Sequence, residues 1–228
     1  MDSVVLGALL FVSVSIGACI AWIVAKLFNH SNGSLELLCG GFLVGLLILE
    51  VIPSVFRMYT PFGNLLGVLL GYLFFLLLHR SFHRSNSSSI YILSVALLIH
   101  TIPISMTTGN LLGDPALGVT IATSTILHHL PEGFALTSVA LSKGDRLGGL
   151  VLCFIGLSVC FTLFVWIGHH SHLNARAQSV LVGVSIGLIA CTSIKEFILQ
   201  YIRAVPLRVF FTYVVMGYLL SSIFHYWL

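Results

Sequence analysis

The chain has 228 residues, 58% of them hydrophobic and only 7% charged, with a mean hydropathy of +1.08 and a formal net charge of +3. A soluble domain carries about 25% charged residues, so this composition excludes a water-covered globule and implies an all-α integral membrane protein whose main partner is the lipid bilayer. It also excludes a nucleic-acid partner, because the Lys and Arg residues form no basic patch interleaved with aromatics. In chain order, the apolar runs break at polar or Gly/Pro-marked joints into spans near 4–28, 34–57, 62–82, 89–112, 115–141, 147–168, 176–201 and 206–228. Each approaches the roughly 20 residues that a helix needs to cross a hydrocarbon core, where every backbone group must be satisfied within its own segment. The first span follows only Met-Asp-Ser and is longer than the roughly 7–15-residue core of a cleaved signal peptide, so it reads as a retained helix. The joints NHSNGS, HRSFHRSNSSS, SKGDR and HHSHLNAR are too short to hold a soluble domain, and the expectation is a single eight-helix transmembrane domain over 1–228.

Basic residues orient that bundle. Lys26, Arg80, Arg84, Lys143, Arg146, Arg203 and Arg208 fall in or beside the odd-numbered joints, whereas Arg57 and Arg176 fall at the even-numbered ones. The excess of positive charge marks the odd joints as cytoplasmic and puts both termini outside. The cysteines, Cys19, Cys39, Cys153, Cys160 and Cys191, sit inside the spans without a CxxC pair and read as small packing residues.

An ionisable side chain at membrane depth costs several kcal/mol and turns toward the bundle interior or a polar path. Those within the spans are Glu50, His100, His128, His129, Glu132, Lys195 and Glu196. In TILHHLPEGFAL, residues 125–136, His128 and His129 precede Glu132 by four and three residues, so all three can share one helix face. Two imidazoles and a carboxylate suit Zn2+, Fe2+ or Mn2+. Pro131 removes a backbone donor and frees the Leu127 carbonyl, which predicts a kinked stretch lining a cavity. The spacing His-x-x-Pro occurs at 100–103 in LLIHTIPISMTTGN and again at 128–131, 28 residues later. In LILEVIP, Glu50 takes the histidine's place before Pro53. Three segments, on the second, fourth and fifth spans, thus each present a candidate ligand one turn before a proline.

With GGFLVGLLILEVIP on the second span and GVSIGLIACTSIKEF on the seventh, these motifs resemble the ZIP (Zrt/Irt-like) metal-ion transporters, and the likeness runs nearly end to end. The resemblance implies an eight-helix bundle with kinked helices 4 and 5 around a central metal site. It implies that His100, His128 and Glu132 are ligands, that His129 stands where relatives carry Asn, Asp or Glu, and that Glu50 and Glu196 match a polar position on helix 2 and an acidic one on helix 7. Two acids of the family pattern are missing: Ile104 replaces a carboxylate on helix 4, and GLSVCFTLF, 156–164, contains none on helix 6. One metal is therefore expected, with water or Glu50 completing the shell.

Other polar features read as structural. His79 and His83 beside two arginines suggest a solvated loop, and His169, His170 and His172 an outer cluster that could collect ions. Lys195 next to Glu196 suggests an ion pair, and Gly40, Gly41, Gly45, Gly183 and Gly187 suggest close helix contacts. The resulting expectation is a multi-pass cell-membrane carrier, not an enzyme. It would move Zn2+ toward the cytoplasm, with Fe2+, Mn2+ and Cd2+ as alternative ions and a homodimer as the alternative to a monomer. An intramembrane zinc enzyme would need His-Glu-x-x-His, with the glutamate acting on zinc-bound water; the chain has His-His-x-x-Glu instead. A metal-binding derivative that does not transport is the third reading.

Overall fold

Every long apolar run is helical, as a backbone that lipid cannot hydrogen-bond requires. The computed structural model describes residues 2–28, 33–58, 60–83, 89–112, 118–144, 147–171 and 174–227. Its α-helices are α1 (Ser3–Phe28), α2 (Ser34–Leu46), α3 (Ile52–Met58), α4 (Pro61–His83), α5 (Ser89–Leu111), α6 (Gly118–Lys143), α7 (Leu147–His170), α8 (Ala175–Thr192) and α9 (Leu207–Trp227). A π-helical stretch, Leu47–Val51, joins α2 to α3 immediately before Pro53. A second, Ser193–Ile198, extends α8 and ends in a 3-10 turn, Leu199–Tyr201. Among the described residues there is no strand. Four helical runs are long and apolar enough to cross a membrane: Ser3–Lys26, Pro61–Arg80, Gly148–His170 and Ala175–Tyr201. They fit an all-α membrane protein, as do the large apolar side chains exposed along the outer faces of α1, α4, α7 and α9, among them Val12, Leu69, Leu152 and Phe211.

Four helix pairs dominate the packing: α1 with α6, α5 with α7, α2 with α9, and α4 with α8. Each pair is closed by reciprocal contacts in which a glycine on either helix lies against a backbone carbonyl of the other. In α1–α6, Gly17 faces the Leu130 carbonyl and Gly133 that of Val14; in α5–α7, Gly109 faces Val165 and Gly168 faces Met106. In α2–α9, Gly41 faces Val214 and Gly217 faces Leu38, and in α4–α8, Gly67 faces Val180 and Gly183 faces Asn64. Lipid tails are as apolar as leucine, so helix association in a bilayer relies on close packing, and a missing Cβ lets backbones approach. Gly41, Gly183 and Gly187 sit at such contacts, whereas Gly45 lies against the Ser221 side chain and Gly40 against Phe197 and Ile198.

Further contacts of α1 with α7 and of α5 with α6 gather α1, α5, α6 and α7 into one group. The other group holds α2, α3, α4, α8 and α9. The groups meet where α5 packs on α8 and α6 on α2. No glycine of the described residues makes its close contact across that seam.

Widening Gly183 tests the packing. A Cβ there strikes the Asn64 carbonyl and Gly67, whereas one at Gly156 meets nothing within 4 Å. Gly183→Leu should destabilise the fold by at least the roughly 1–3 kcal/mol of an overpacked core. Gly156→Leu should stay within about 0.5 kcal/mol. Thermal unfolding in detergent measures both, and equal shifts would refute the close-contact assignment.

Candidate metal centre

The polar side chains of the first group divide into those that serve their own helix and those that do not. On α5, Thr101 donates to the Leu97 carbonyl at 2.8 Å, Ser105 to that of Thr101 at 2.7 Å and Thr108 to that of Ile104 at 2.9 Å. These hydroxyls are satisfied by the preceding turn, the usual solution for Ser and Thr in a helix surrounded by apolar side chains. His100 and Glu132 are different. Each is 2% exposed, and neither ring nitrogen of His100 nor either oxygen of Glu132 has a hydrogen-bond partner among the described residues. An ionised carboxylate in such a place needs a compensating positive charge, and unpaired buried polar atoms call for an explanation.

The helix geometry brings these groups together. His128 and Glu132 stand one turn apart on α6, on either side of Pro131, and His100 stands one turn before Pro103 on α5. The His100 and His128 rings lie 5.7 Å apart. One ligand atom from each of His100, His128 and Glu132 lies within 4.8 Å of the other two. Donors at about 2.0–2.1 Å around a tetrahedral ion sit about 3.3–3.4 Å from one another. The 3.5 Å between His100 Nε2 and Glu132 Oε1 is already close to that value. Three protein ligands leave a coordination position open for water, the arrangement that lets an ion exchange. Across the seam, Ser185 of α8 donates to the His100 carbonyl at 3.3 Å.

His129, fully buried, is placed otherwise. Its Nδ1 lies 2.7 Å from the Thr125 carbonyl, which can only accept, so that nitrogen carries the proton. Its Nε2 faces Thr101 Oγ1 at 3.5 Å and Glu132 Oε2 at 3.8 Å, and Phe161 of α7 meets the ring edge to face at 5.7 Å. His129 thus stands outside the three-ligand cluster, with an unprotonated nitrogen toward the carboxylate.

Of the remaining candidates, Glu50 belongs to the π-helical stretch Leu47–Val51, and its side chain lies outside the described residues. Glu196 is away from the cluster: its Oε1 is 3.1 Å from Nδ1 of His79, near the end of α4. Lys195 instead lies over Phe75, 5.4 Å from the ring centre, since consecutive helical residues do not face one another. His79 is thus helical and lies against Glu196, contrary to the solvated loop expected from HRSFHRSNSSS, while the His83 side chain lies outside the described residues. His169 and His170 are exposed in the last turn of α7, with His170 Nδ1 donating to the Trp166 carbonyl at 2.8 Å, and His172 lies outside the described residues.

One buried acid escaped the sequence reading. Glu36 is 3% exposed and accepts a hydrogen bond from Ser142 at the end of α6, tying the two groups together. It stands in the first turn of α2, where an acid is read as complementing the helix dipole. Its burial comes from α6, which no local signal encodes. Set beside protein-family models and curated proteins, the chain matches none.

Proton competition tests the cluster, because imidazole ligates only when neutral and free histidine titrates near about 6.5. Calorimetric affinity for Zn2+ should fall as the solution is acidified and protons compete for the imidazoles. A pH dependence unchanged in both His100→Ala and His128→Ala would remove the histidines as ligands.

Proposed function

We propose that the chain is a carrier of divalent transition-metal ions of the ZIP type, moving Zn2+ toward the cytoplasm across the cell membrane, with His100, His128 and Glu132 as the ligands of the transported ion. The observation that carries this reading is the buried trio whose ligand atoms lie within 4.8 Å of one another, with those of His100 and Glu132 otherwise unpartnered. In this reading the helical runs make eight spans with both termini outside, and helices α5 and α6 bend at Pro103 and Pro131 around the ion. Two neutral nitrogens and one carboxylate leave a bound dication with a net charge of about +1, and so hold it less firmly than a carboxylate-rich cage would. Moderate affinity suits a carrier, which must release what it binds.

The packing supports a route for release. The trio sits on α5 and α6, the two helices of the first group that meet the second, while the glycine contacts that hold helices closest lie within the groups. Sliding at the seam would then move the site with its group and leave each glycine-locked pair intact.

Uptake by proteoliposomes, with a panel of ions competing against Zn2+, tests the assignment. His128→Ala and Glu132→Ala should each reduce uptake by more than about 100-fold at unchanged protein level. His129→Ala, which lies outside the cluster, should cost less than either. Wild-type rates in the first two variants would end the proposal.

The number of ions follows from the acids. A two-metal cage sets its ions only about 3.5–4 Å apart and needs bridging carboxylates to screen them. Glu132 is the only carboxylate on α5, α6 and α7. Metal analysis should therefore find one equivalent dependent on Glu132. Ile104→Glu should raise affinity and slow turnover, because a deeper well is harder to leave. Two equivalents lost together in Glu132→Ala would show that the missing acids do not limit the site.

A further inference from the structure

A crevice of about 340 Å3 opens between α1 and α6 of the first group and α2 and α9 of the second. Its walls carry Ile20, Leu38, Phe42, Leu130, Phe134 and Leu220, and no polar side chain lines it. At its mouth Ile20 and Leu220 are 41% and 42% exposed, continuous with the apolar outer surface of α1 and α9. At its floor Leu38 is 5% exposed. Pro131 forms part of the wall, so the crevice backs onto the helix that carries His128 and Glu132.

Three occupants can be weighed. Water needs about 2–4 polar partners, which this lining does not offer. A helix from a second copy is about 10–12 Å across, and two turns of it fill about 850 Å3, well beyond this volume. A dry void would forfeit the dispersion contacts of every wall that faces it. Hydrocarbon remains, and the bilayer supplies it at the mouth.

We propose that this crevice is a binding site for the acyl chain of a membrane phospholipid, seated between the two helix groups behind Pro131. The chain fills the seam with material that matches the apolar walls and yields when they move, where a protein side chain would lock them. The site itself requires only a helical membrane protein. Its effect on ion movement rests on the transport reading.

Reconstitution into liposomes containing phosphatidylcholine with a diazirine midway along one acyl chain, followed by photolysis and peptide mapping, tests it. Label is expected on Leu38 and Leu130 as well as on bilayer-facing residues such as Leu69 and Leu77. Leu220→Trp, or Ile20→Phe if that variant fails to insert, plugs the mouth and should abolish label on Leu38 while leaving that on Leu69 and Leu77. Label confined to bilayer-facing residues in the wild type, or persisting on Leu38 in the plugged variant, overturns the proposal. Labelling is read without metal, so a protein that takes up the lipid probe but no Zn2+ would refute transport and leave this site standing. With transport intact, the plugged variant should retain its Zn2+ affinity and lose uptake rate; unchanged uptake would refute the effect on movement.

Discussion

Hydrocarbon offers neither a hydrogen bond nor a counter-charge, and the placement of every polar group in this chain follows from that. Backbone groups close on themselves as helix. Hydroxyls on the inner helices turn back to the carbonyl one turn earlier, as Thr101, Ser105, Thr108 and Thr137 all do. What such local bonding cannot absorb is a carboxylate, because a helix has no spare donor in its interior. Glu132 therefore depends on groups brought by other turns and other helices, and those nearest to it are imidazoles. The cluster is the part of the inner surface where local satisfaction fails.

The same solvent determines how the helices hold together. Without a hydrophobic drive to press one apolar helix on another, closeness must come from shape, and a glycine against a carbonyl allows the shortest approach, with Cα–H···O contacts as a small addition. Reciprocal pairs of this kind join α1 to α6, α5 to α7, α2 to α9 and α4 to α8. The seam between the groups is built from other materials: Ser185 against the His100 carbonyl, Ser142 against Glu36, and the apolar crevice beside Pro131. Hydrogen bonds between side chains can re-form after a displacement, whereas interlocked backbones must first separate. Close backbone contacts and side-chain contacts are thus sorted by residue type, and the trio stands on the two helices, α5 and α6, that pack across the seam.

How much of this could be read from the sequence depends on the range of the interaction. The i, i+4 relation of His128 and Glu132 and the recurrence of His-x-x-Pro are local, and they single out residues that the structure brings within ligand distance. The glycines, too, were visible as small residues at helical spacing, although their partners were not. Facts that rest on tertiary pairing were not legible. Glu36 drew no reading, and nothing near it in the chain announces Ser142, 106 residues away. His79 looked like part of a basic loop, because its partner Glu196 lies on another helix. The π-helical stretches are likewise invisible to a 3.6-residue pattern, although the first lies just before Pro53, where a missing donor makes a widened turn easier to accommodate.

The two adjacent histidines show how the fold divides work that the sequence leaves undivided. Consecutive residues on a helix point about 100° apart, so His128 and His129, although both approach Glu132, meet different neighbours on other elements. His128 turns toward His100 of α5, while His129 turns toward the carbonyl of Thr125 and the ring of Phe161. The Thr125 carbonyl fixes the tautomer of His129 and leaves an unprotonated Nε2 toward Glu132, and the apolar Phe161 ring beside it offers no ligand atom. Phe161 belongs to α7, which carries no acid. Two histidines adjacent in the chain thus end in different surroundings, one within the three-residue cluster and the other outside it, and the carboxylate that both approach is the only one on α5, α6 and α7.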